Sequence, residues 1–292
     1  MGLLWRHGHT LPRGAGPAAH CGPGRRVGYP RPVPELPEVE CYRRLAETAL
    51  GRTIASVSVP DPWFVKGGAT ADTLRRALMG HRFDSARRIG KLLLVGIDSG
   101  PTLGIRFGMT GTLVVDGADG VGQLLYAPRR HHPAWDRWSV LFEDGGTVVV
   151  RDPRRLGGVS LDPDASGLGP DAATIDPADL ADAVRGSSAP LKARLLDQQR
   201  VAGIGNLIAD EVLWRSGLSP LRPAGSLSRN EVRRLQRHLV HTIGDLIERG
   251  GSHRGDLTDE RRVGGHCPRD GGELVRSTVG GRTTWWCPAH QA

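Results

Sequence analysis

The residues best suited to chemistry stand together in the run PELPEVE at Pro34–Glu40. A proline with a free terminal nitrogen is a secondary amine, and an α-amino group titrates near pH ~8. A useful fraction of that amine is therefore neutral and nucleophilic at neutral pH. The adjacent Glu35 suits general acid and base chemistry. The same residues also suit the start of a helix, because proline fits the first turn and glutamates favour the positive end of the helix dipole.

Nucleophilic chemistry at Pro34 requires an uncapped nitrogen, yet 33 residues precede it. Met1–Val33 is rich in Gly, Pro and Arg, follows neither a helical nor a strand period, and lacks the apolar core of a signal peptide. Two interpretations stay open: a disordered basic arm, or a start codon assigned too early. A GTG codon would read as Val33 inside a gene and as Met at its start. We favour the second, because the chemistry needs Pro34 at the terminus.

The elements that would position these residues follow from periodicity. An apolar stripe from Val39 to Ala49 predicts a first helix that stops at Gly51. Strand-like segments separated by Gly- and Asp-rich turns then predict a β-sandwich with flanking helices. These segments are Ile54–Val59, Lys91–Ile97, Thr102–Phe107, Thr112–Val115, Trp138–Phe142 and Thr147–Arg151.

Helical patterns replace strand patterns after about residue 166. Short helices are predicted over Leu191–Gln198 and Asn206–Trp214, and Ser228 with Glu231 forms a capping box for a longer one. Short β segments with two cysteines return near the end. We therefore expect an α+β multidomain chain with an extension (1–33), a β-sandwich domain (34–165), a helical domain (166–251) and a C-terminal hairpin (252–292).

Composition favours a polyanionic partner. The formal net charge is +8, an excess expected for a nucleic-acid-binding protein, although an ordinary basic protein explains it as well. Four cysteines in 292 residues argue for a reducing compartment and against a disulfide framework. No apolar run is long enough to span a bilayer, so no membrane partner is expected.

PELPEVE resembles the start of the formamidopyrimidine-DNA glycosylase and endonuclease VIII family, the formamidopyrimidine branch more closely, and the resemblance extends to the chain end. It implies a monomeric base-excision-repair enzyme in the bacterial cytoplasm, at the nucleoid, that acts on damaged double-stranded DNA. Pro34 would attack the sugar C1′ and displace the base, and the iminium link would drive β,δ-elimination and nick the strand. Glu35 would open the sugar ring, and Glu38 would lie near the damaged nucleotide.

Three downstream motifs match the family in order. In RRIGKLLL, the resemblance implies that Lys91 starts a strand, reaches the DNA and assists catalysis. In RFGMTGTL, Met109 would fill the space left by the flipped-out base. In DPRRLGG, Arg154 would pair with the orphaned base, and Leu156 stands where the family usually has Phe. Each residue alone could be ordinary: a strand-edge lysine or a core methionine.

The run QQRVAGIGNLIADEVL resembles the family's helix–two-turn–helix element. Gly203 and Gly205 would let the backbone approach a phosphate, and Asn206 would donate to it at a helix start. Lys192 would add positive charge before this turn. Arg282 resembles an arginine at the tip of the C-terminal hairpin that clamps phosphates around the lesion, although a generic basic hairpin is the alternative.

The family normally ends in a zinc finger of the form C-x2-C-x16-C-x2-C. Here Cys267 and Cys287 keep the spacing, while Asp270 and His290 replace the second and fourth cysteines. Zinc accepts thiolate, imidazole and carboxylate ligands, so the resemblance implies one structural Zn²⁺ on these four residues. His266 is an alternative to Asp270.

The zinc site has a competing interpretation, and so does the substrate. The hairpin could instead have lost its metal and be held by packing of Trp285 and Trp286. The family's loop over 8-oxoguanine is short here, within Gly250–Gly265. Ring-opened purines, or oxidised pyrimidines as in the endonuclease VIII branch, therefore join 8-oxoguanine as candidate lesions.

Two other functions remain open at this point. If residues 1–33 are retained, the Pro34 nitrogen is an amide, which leaves a catalytically silent DNA-lesion binder. A zinc-ribbon transcription factor would instead bind undamaged duplex with sequence specificity and would give no borohydride-trapped adduct.

Overall fold

Eight strands form two antiparallel sheets in the first half of the chain, for which the computed structural model describes residues 34–121 and 132–292. The strands are β1 (Ile54–Ser58), β2 (Phe83–Ile89), β3 (Leu92–Ile97), β4 (Thr102–Arg106), β5 (Thr112–Val115), β6 (Asp136–Phe142), β7 (Thr147–Arg151) and β8 (Gly158–Leu161). One sheet has the order β1-β6-β7-β5 and the other β2-β3-β4-β8. The interpretations of residues 1–33 lie outside the described residues.

One apolar core joins the two sheets. Val140 and Val150 of the first sheet lie in the same buried cluster as Leu93 and Ile105 of the second. Helices α1 (Leu36–Glu47) and α2 (Ala71–Leu78) flank this core, and each buries its own apolar stripe. The predicted β-sandwich with flanking helices is therefore confirmed.

A helical layer with its own core follows. It contains α3 (Pro177–Val184), α4 (Leu191–Leu196), α5 (Asn206–Ser216) and α6 (Arg229–Glu248). The predicted capping box is present at the start of α6, where the Ser228 hydroxyl accepts from the Glu231 amide and the Glu231 side chain accepts from the Ser228 amide. Leu36 of α1 is buried in this second core, so the chain segment after Pro34 is packed between sheet and helices.

A two-stranded hairpin closes the fold. It consists of β9 (Val275–Val279) and β10 (Arg282–Trp286), with a small apolar cluster around Trp214 and Trp285 beneath it. The connector from α6 is short, with 3₁₀ turns at Ser252–Arg254 and Thr258–Glu260. The predicted α+β class with a C-terminal hairpin is thus confirmed, whereas the domain boundaries at residues 166 and 252 stay predictions.

The sequence did not predict β2, β8 or α2. Strand β2 lies at the edge of its sheet and carries polar residues on both faces, so it shows no regular alternation. Its Arg88 forms ion pairs with Glu40 at 3.2 Å and with Asp171 at 2.6 Å. These polar side chains serve contacts with α1 and with the start of the helical layer, which only the tertiary structure reveals.

The sequence argued against a membrane-spanning segment and against a disulfide framework. Within the described ranges, no helix combines the length and apolarity needed to cross a bilayer. Cys41, Cys267 and Cys287 are free thiols.

Two glycines provide a stability test. A Cβ at Gly205, before α5, would overlap the carboxyl group of Glu35, whereas a Cβ at Gly244 in α6 would meet open space. We expect Gly205→Ala to lower the free energy of unfolding by about 1–3 kcal/mol through overpacking. Gly244→Ala should raise it by about 0.5–1 kcal/mol, because alanine restricts the unfolded chain. Urea denaturation of both variants would measure this, and equal effects would contradict the close approach at Gly205.

Candidate active site

The site begins at the first turn of α1. Glu35 is the N-cap residue, and its backbone amide donates to Oε2 of Glu38 at 2.9 Å. Pro37 in the first turn has no backbone N–H, so it adds no unsatisfied donor there. The sequence Pro-Glu-Leu-Pro-Glu thus fixes both carboxylates within one turn of the helix.

The carboxylate of Glu35 is held by a second helix. Its Oε1 accepts from the Leu207 amide at 2.8 Å, and its Oε2 accepts from the Ile208 amide at 3.0 Å. Both donors belong to the first turn of α5, where free amides and the helix dipole favour an anion. Gly205 leaves the space that this carboxyl group needs.

Burial sets the acidity of Glu35. The side chain is 2% exposed, and desolvation raises the pKa of its carboxyl group above the ordinary value. The positive charge of Lys91 and the two backbone donors oppose this rise, while the negative charge of Glu38 adds to it. A larger fraction of Glu35 is therefore protonated near neutral pH than for an exposed glutamic acid.

Glu38 is buried and bonded within the protein. Its Oε1 accepts from the backbone amide of Ser252 at 2.6 Å and from the Ser252 hydroxyl at 2.7 Å. Ser252 starts the short connector after α6, so Glu38 joins α1 to this connector. The predicted contact between Glu38 and a damaged nucleotide stays a prediction. Ser252 was not singled out by the sequence, because it gives no local signal.

Lys91 lies in the two-residue turn between β2 and β3, one residue before the strand that it was predicted to start. Its Nζ donates to the carbonyl oxygen of Ile204 at 2.9 Å. Burial lowers the pKa of Lys91, opposed by the charges of Glu35 and Glu38. The turn packs tightly, since a Cβ at Gly90 would come within 2.9 Å of the Ala202 Cβ.

A cavity of about 220 Å³ brings the central residues together. Its lining consists of Pro34, Lys91, Arg106, Phe107, Gly108 and Leu156. The predicted nucleophile and the predicted wedge residue Leu156 therefore face the same space. Arg106 was missed by the sequence, because it is one of many exposed arginines until the fold places it here.

The two predicted wedge loops are in contact. Met109 is partly exposed in the loop after β4, and Leu156 is 49% exposed in the loop before β8. Gly108 makes the approach possible, because its φ is +59° and a Cβ there would lie 2.5 Å from the Leu156 carbonyl carbon. Arg154 is exposed, and its backbone amide donates to Oδ1 of Asp152 at 3.1 Å.

Asp152 organises both loops. It is fully buried, and its carboxylate accepts from the Thr110 hydroxyl at 2.7 Å and from the Gly157 amide at 2.8 Å. Thr110 belongs to the Met109 loop and Gly157 to the Leu156 loop. The sequence motif DPRRLGG contains this residue, but an Asp-Pro pair alone indicates only a turn.

The structure contradicts the prediction that Lys192 contacts DNA. Its side chain is fully buried in α4, with Nζ 2.7 Å from Oδ1 of Asp210 and donating to the Thr284 hydroxyl at 2.7 Å. Burial lowers the pKa of Lys192, while Asp210 favours its charged form. A buried charge requires partners, and these partners occupy the ammonium group. Lys192 therefore connects α4, α5 and β10.

The phosphate contacts predicted for Asn206 and Arg282 stay predictions. Asn206 is the first residue of α5, and its Oδ1 has no hydrogen-bond partner among the described residues. Arg282 is exposed at the start of β10, close enough that its charge lowers the pKa of Lys91. The start of β10 thus lies near the cavity that Pro34 and Lys91 line.

Four possible metal ligands converge at the base of the hairpin. One ligand atom from each of Cys267, Asp270, Cys287 and His290 lies within 4.8 Å of the others. His290 Nδ1 is 3.4 Å from Sγ of Cys267 and 3.3 Å from Oδ2 of Asp270. His266 is not in this group, so Asp270 is the member that the structure favours.

Contacts around the cluster orient its ligands. His290 Nε2 lies 3.0 Å from the Trp214 carbonyl oxygen, and a proton on Nε2 leaves the Nδ1 lone pair directed at the cluster. The indole of Trp214 donates to Sγ of Cys267 at 3.2 Å. Both contacts come from the last turns of α5. This donor set fits a tetrahedral cation that accepts sulfur, nitrogen and oxygen.

Comparison with known families gives two matches in chain order. The formamidopyrimidine-DNA glycosylase N-terminal domain matches residues 33–159. The formamidopyrimidine-DNA glycosylase H2TH domain matches residues 167–256.

Curated relatives span nearly the whole matched length. Formamidopyrimidine-DNA glycosylase of Chloroflexus aggregans is 34% identical over 283 residues, covering 89% of this chain and 98% of that protein. The Thermus thermophilus protein of the same name is 35% identical over 291 residues, with coverages of 89% and 98%.

Solved structures of Fpg (MutM) bound to DNA are also similar to this chain. Lactococcus lactis Fpg (MutM) in complex with Fapy-dG-containing DNA has a TM-score of 0.75 at 28% identity, covering 88% of this chain and 99% of that chain. MutM in complex with DNA containing carbocyclic 8-oxo-G has a TM-score of 0.74 at 28% identity, with coverages of 88% and 99%. On the strength of both family matches and of relatives this similar over almost their full length, the chain belongs to the formamidopyrimidine-DNA glycosylase family.

Proposed function

We propose that this protein, in a form that begins at Pro34, is a DNA glycosylase and AP lyase of base excision repair. Its substrates would be formamidopyrimidines and 8-oxoguanine in damaged duplex DNA. The observation that carries the proposal is the shared cavity, which Pro34, Lys91 and the wedge residue Leu156 line together. The similarity to formamidopyrimidine-DNA glycosylases, and to solved complexes of such an enzyme with damaged DNA, supports the same class of substrate.

The first chemical step uses the nitrogen of Pro34. As a neutral secondary amine it attacks C1′ of the damaged nucleotide, the C1′–base bond breaks, and the base leaves with a proton. The resulting iminium link acidifies the C2′ proton. Its removal expels the 3′ phosphate, and a second elimination expels the 5′ phosphate, so the strand is nicked.

Glu35 and Lys91 supply proton transfer and charge in this scheme. Glu35 in its protonated form donates to the ring oxygen of the sugar as the ring opens. Because burial raises its pKa, more of Glu35 is protonated at a given pH than of an exposed glutamic acid. Lys91 lies close enough to Glu35 for its charge to affect that pKa, and it would stabilise the carboxylate left after proton transfer.

The surrounding residues would hold the DNA. Met109 and Leu156, on two loops joined through Asp152, would occupy the space of the flipped-out base, and Arg154 would face the opposite base. Asn206 at the start of α5 and Arg282 at the hairpin tip would bind phosphates on either side of the lesion.

The cluster at the base of the hairpin would hold one Zn²⁺. Cys267, Asp270, Cys287 and His290 supply two thiols, a carboxylate and an imidazole within bonding reach of one ion. Bound there, the metal would tie the two ends of the hairpin together and so support Arg282 near the cavity.

The nucleophile is tested in protein that begins at Pro34. We expect Pro34→Gly to lose most strand nicking on an 8-oxoguanine duplex and most of the adduct trapped by borohydride, because the pyrrolidine nitrogen is gone. Gel electrophoresis of labelled duplex measures both products. The full 292-residue chain is the matched control, since its Pro34 nitrogen is an amide. Equal nicking by the full chain would exclude the iminium route, and binding without nicking in both forms would indicate a silent lesion binder.

The role of Glu35 is tested by pH. Because burial raises its pKa, the protonated form is present below that pKa and is lost as the pH rises through it. Single-turnover base excision should therefore decline on the alkaline side, and on the acidic side as Pro34 becomes protonated. Glu35→Gln should lower the rate of base excision about 10²–10⁴-fold, because the proton donor is lost. The decline of that rate at alkaline pH should disappear with it. Nicking at a pre-formed abasic site should be retained.

A second glutamate on α1 provides the matched control for that experiment. Glu47 is exposed and forms an ion pair with Arg43 at 2.6 Å. Glu47→Gln should keep both the rate and the pH profile of the unaltered protein. An alkaline limb that persists unchanged in Glu35→Gln would assign that limb to another group.

Metal content tests the hairpin cluster. We expect about one zinc per chain by mass spectrometry of the purified protein, as a site with four donors requires. Asp270→Ala should lower the zinc content and the melting temperature, because one ligand is lost. Cys41→Ser is the matched control, since Cys41 is a free thiol on α1 outside the cluster. Zinc-free native protein, or full zinc in Asp270→Ala, would contradict this ligand set.

A further inference from the structure

One side of α6 carries a row of basic residues. Arg233, Arg237 and His241 are exposed and follow one another at intervals of four residues, so they form a row along the helix. This row lies opposite the buried apolar stripe of the helix. Two half-buried side chains, Arg234 and His238, lie next to it. The proposed chemistry at the cavity lined by Pro34 uses none of these residues.

Arg269, at the base of the hairpin, extends this surface. Its guanidinium donates to the carbonyl oxygen of Arg215 at 3.4 Å. Burial lowers the pKa of His238, and four positive charges lower it further, those of Arg269, Arg234, Arg237 and His241. The hairpin arginine therefore lies close to the residues of α6. Together they form a basic face that consists of Arg233, Arg234, Arg237, His238, His241 and Arg269.

The acidic residues of α6 do not neutralise the basic face, because each of them pairs with an arginine outside it. These pairs are Glu231 with Arg222, Asp245 with Arg215, and Glu248 with Arg44. In the part of the chain that the structure describes, Arg233, Arg234 and Arg237 form no ion pair, and Nε of Arg234 is buried without an acceptor. A group of arginines without counter-charges is typical of a surface that binds a polyanion.

Helix α5 separates the basic face from the cavity that contains Pro34. Its first turn holds the Glu35 carboxylate, whereas Arg215 in its last turn accepts from Arg269. A helix rises about 1.5 Å per residue, so the two ends of this 11-residue helix are about 15 Å apart. The hairpin shows the same separation, because Arg282 follows the turn at its tip and Arg269 lies at its base. The basic face is therefore a surface separate from the Pro34 cavity.

We propose that the basic face binds a second segment of duplex DNA while a first segment occupies the Pro34 cavity. The proposal rests on the proposed function, in which duplex DNA is the partner. Arginine suits the phosphate backbone, because its planar guanidinium donates two hydrogen bonds to phosphate oxygens. Contacts with phosphates carry no base sequence, so undamaged DNA is the expected occupant.

The first experiment counts the duplexes on each chain. The full chain is saturated with a duplex that contains a tetrahydrofuran abasic analogue, and an undamaged duplex with a different dye is then titrated in. Sedimentation velocity shows whether both dyes travel with one chain, so no catalysis is needed. We expect the undamaged duplex to bind this complex with a Kd of about 10⁻⁶–10⁻⁴ M at physiological salt, as contacts without sequence preference do.

A double variant tests the exposed row. Arg233→Gln with Arg237→Gln should weaken binding of the second duplex about tenfold and lower its salt dependence by about two phosphate contacts. The Kd of the abasic duplex should not change. Arg75→Gln with Arg185→Gln is the matched control, because it removes the same charge from α2 and α3, where each arginine pairs with an aspartate three residues earlier. This control should bind the second duplex like the unaltered chain.

A second experiment measures transfer between duplexes. A labelled undamaged duplex is released from the full chain by increasing concentrations of unlabelled duplex. The release rate should rise with the competitor concentration, because the competitor binds the basic face before the first duplex leaves. In the double variant of Arg233 and Arg237, the release rate should depend much less on the competitor.

Three results would overturn the second DNA site. The unaltered chain could saturate at one duplex, or the double variant could bind the second duplex as tightly as the matched control does. Polyglutamate could also bind the loaded complex where undamaged duplex does not, which would assign the face to an acidic protein. Failure of the proposed function looks different, because the unaltered chain would then bind the abasic duplex no more tightly than an undamaged one. Thermal unfolding of the double variant checks that the fold is retained.

Discussion

The bond between the Glu35 carboxylate and the first turn of α5 is the constraint on which the site depends. It joins the segment after Pro34 to the helical layer through two backbone donors, Leu207 and Ile208. The same helix bonds to the hairpin further along, where Oδ2 of Asp210 accepts from the Trp285 amide at 3.3 Å. Asp210 also pairs with Lys192 of α4 and with Arg261 of the connector. Its last turn contacts the group of possible metal ligands, where the Trp214 indole donates to Sγ of Cys267. One short helix therefore sets the spacing between the Glu35 carboxylate, the hairpin and the possible metal site.

Buried carboxylates perform most of this positioning. Glu38, Asp152, Asp210 and Glu211 are each almost fully buried, and each joins chain segments distant in sequence or separate loops. Glu211, for example, accepts from the Leu257 amide at 3.0 Å and fixes the connector before the hairpin. A buried carboxylate without donors is costly, so each of these contacts tolerates only a narrow range of geometries. The active-site geometry is thereby specified by polar pairing within an otherwise apolar interior.

Local signals account for what the sequence predicted correctly. The stripe of α1, the capping box of α6 and the alternation in the inner strands depend on neighbours only a few residues away. Strand β2 was not predicted because its polar residues do not follow a regular alternation. Its Arg88 instead forms ion pairs with Glu40 and Asp171, which lie far away in the sequence. Lys192 was assigned wrongly for the same reason. Its charge indicated DNA, but its partner Asp210 becomes visible only when α4 and α5 pack together.

The link through Asp152 has a consequence for how the protein would probe DNA. Thr110 and Gly157 bind the same carboxylate, so the Met109 and Leu156 loops cannot change position independently without leaving a buried oxygen unpaired. Gly108 packs directly on the backbone at Leu156, which adds a steric link to the polar one. If the two loops insert into a duplex as proposed, they would therefore enter it together as one unit. Rigidity suits that task, because the entropy of ordering the wedge is already lost before DNA binds.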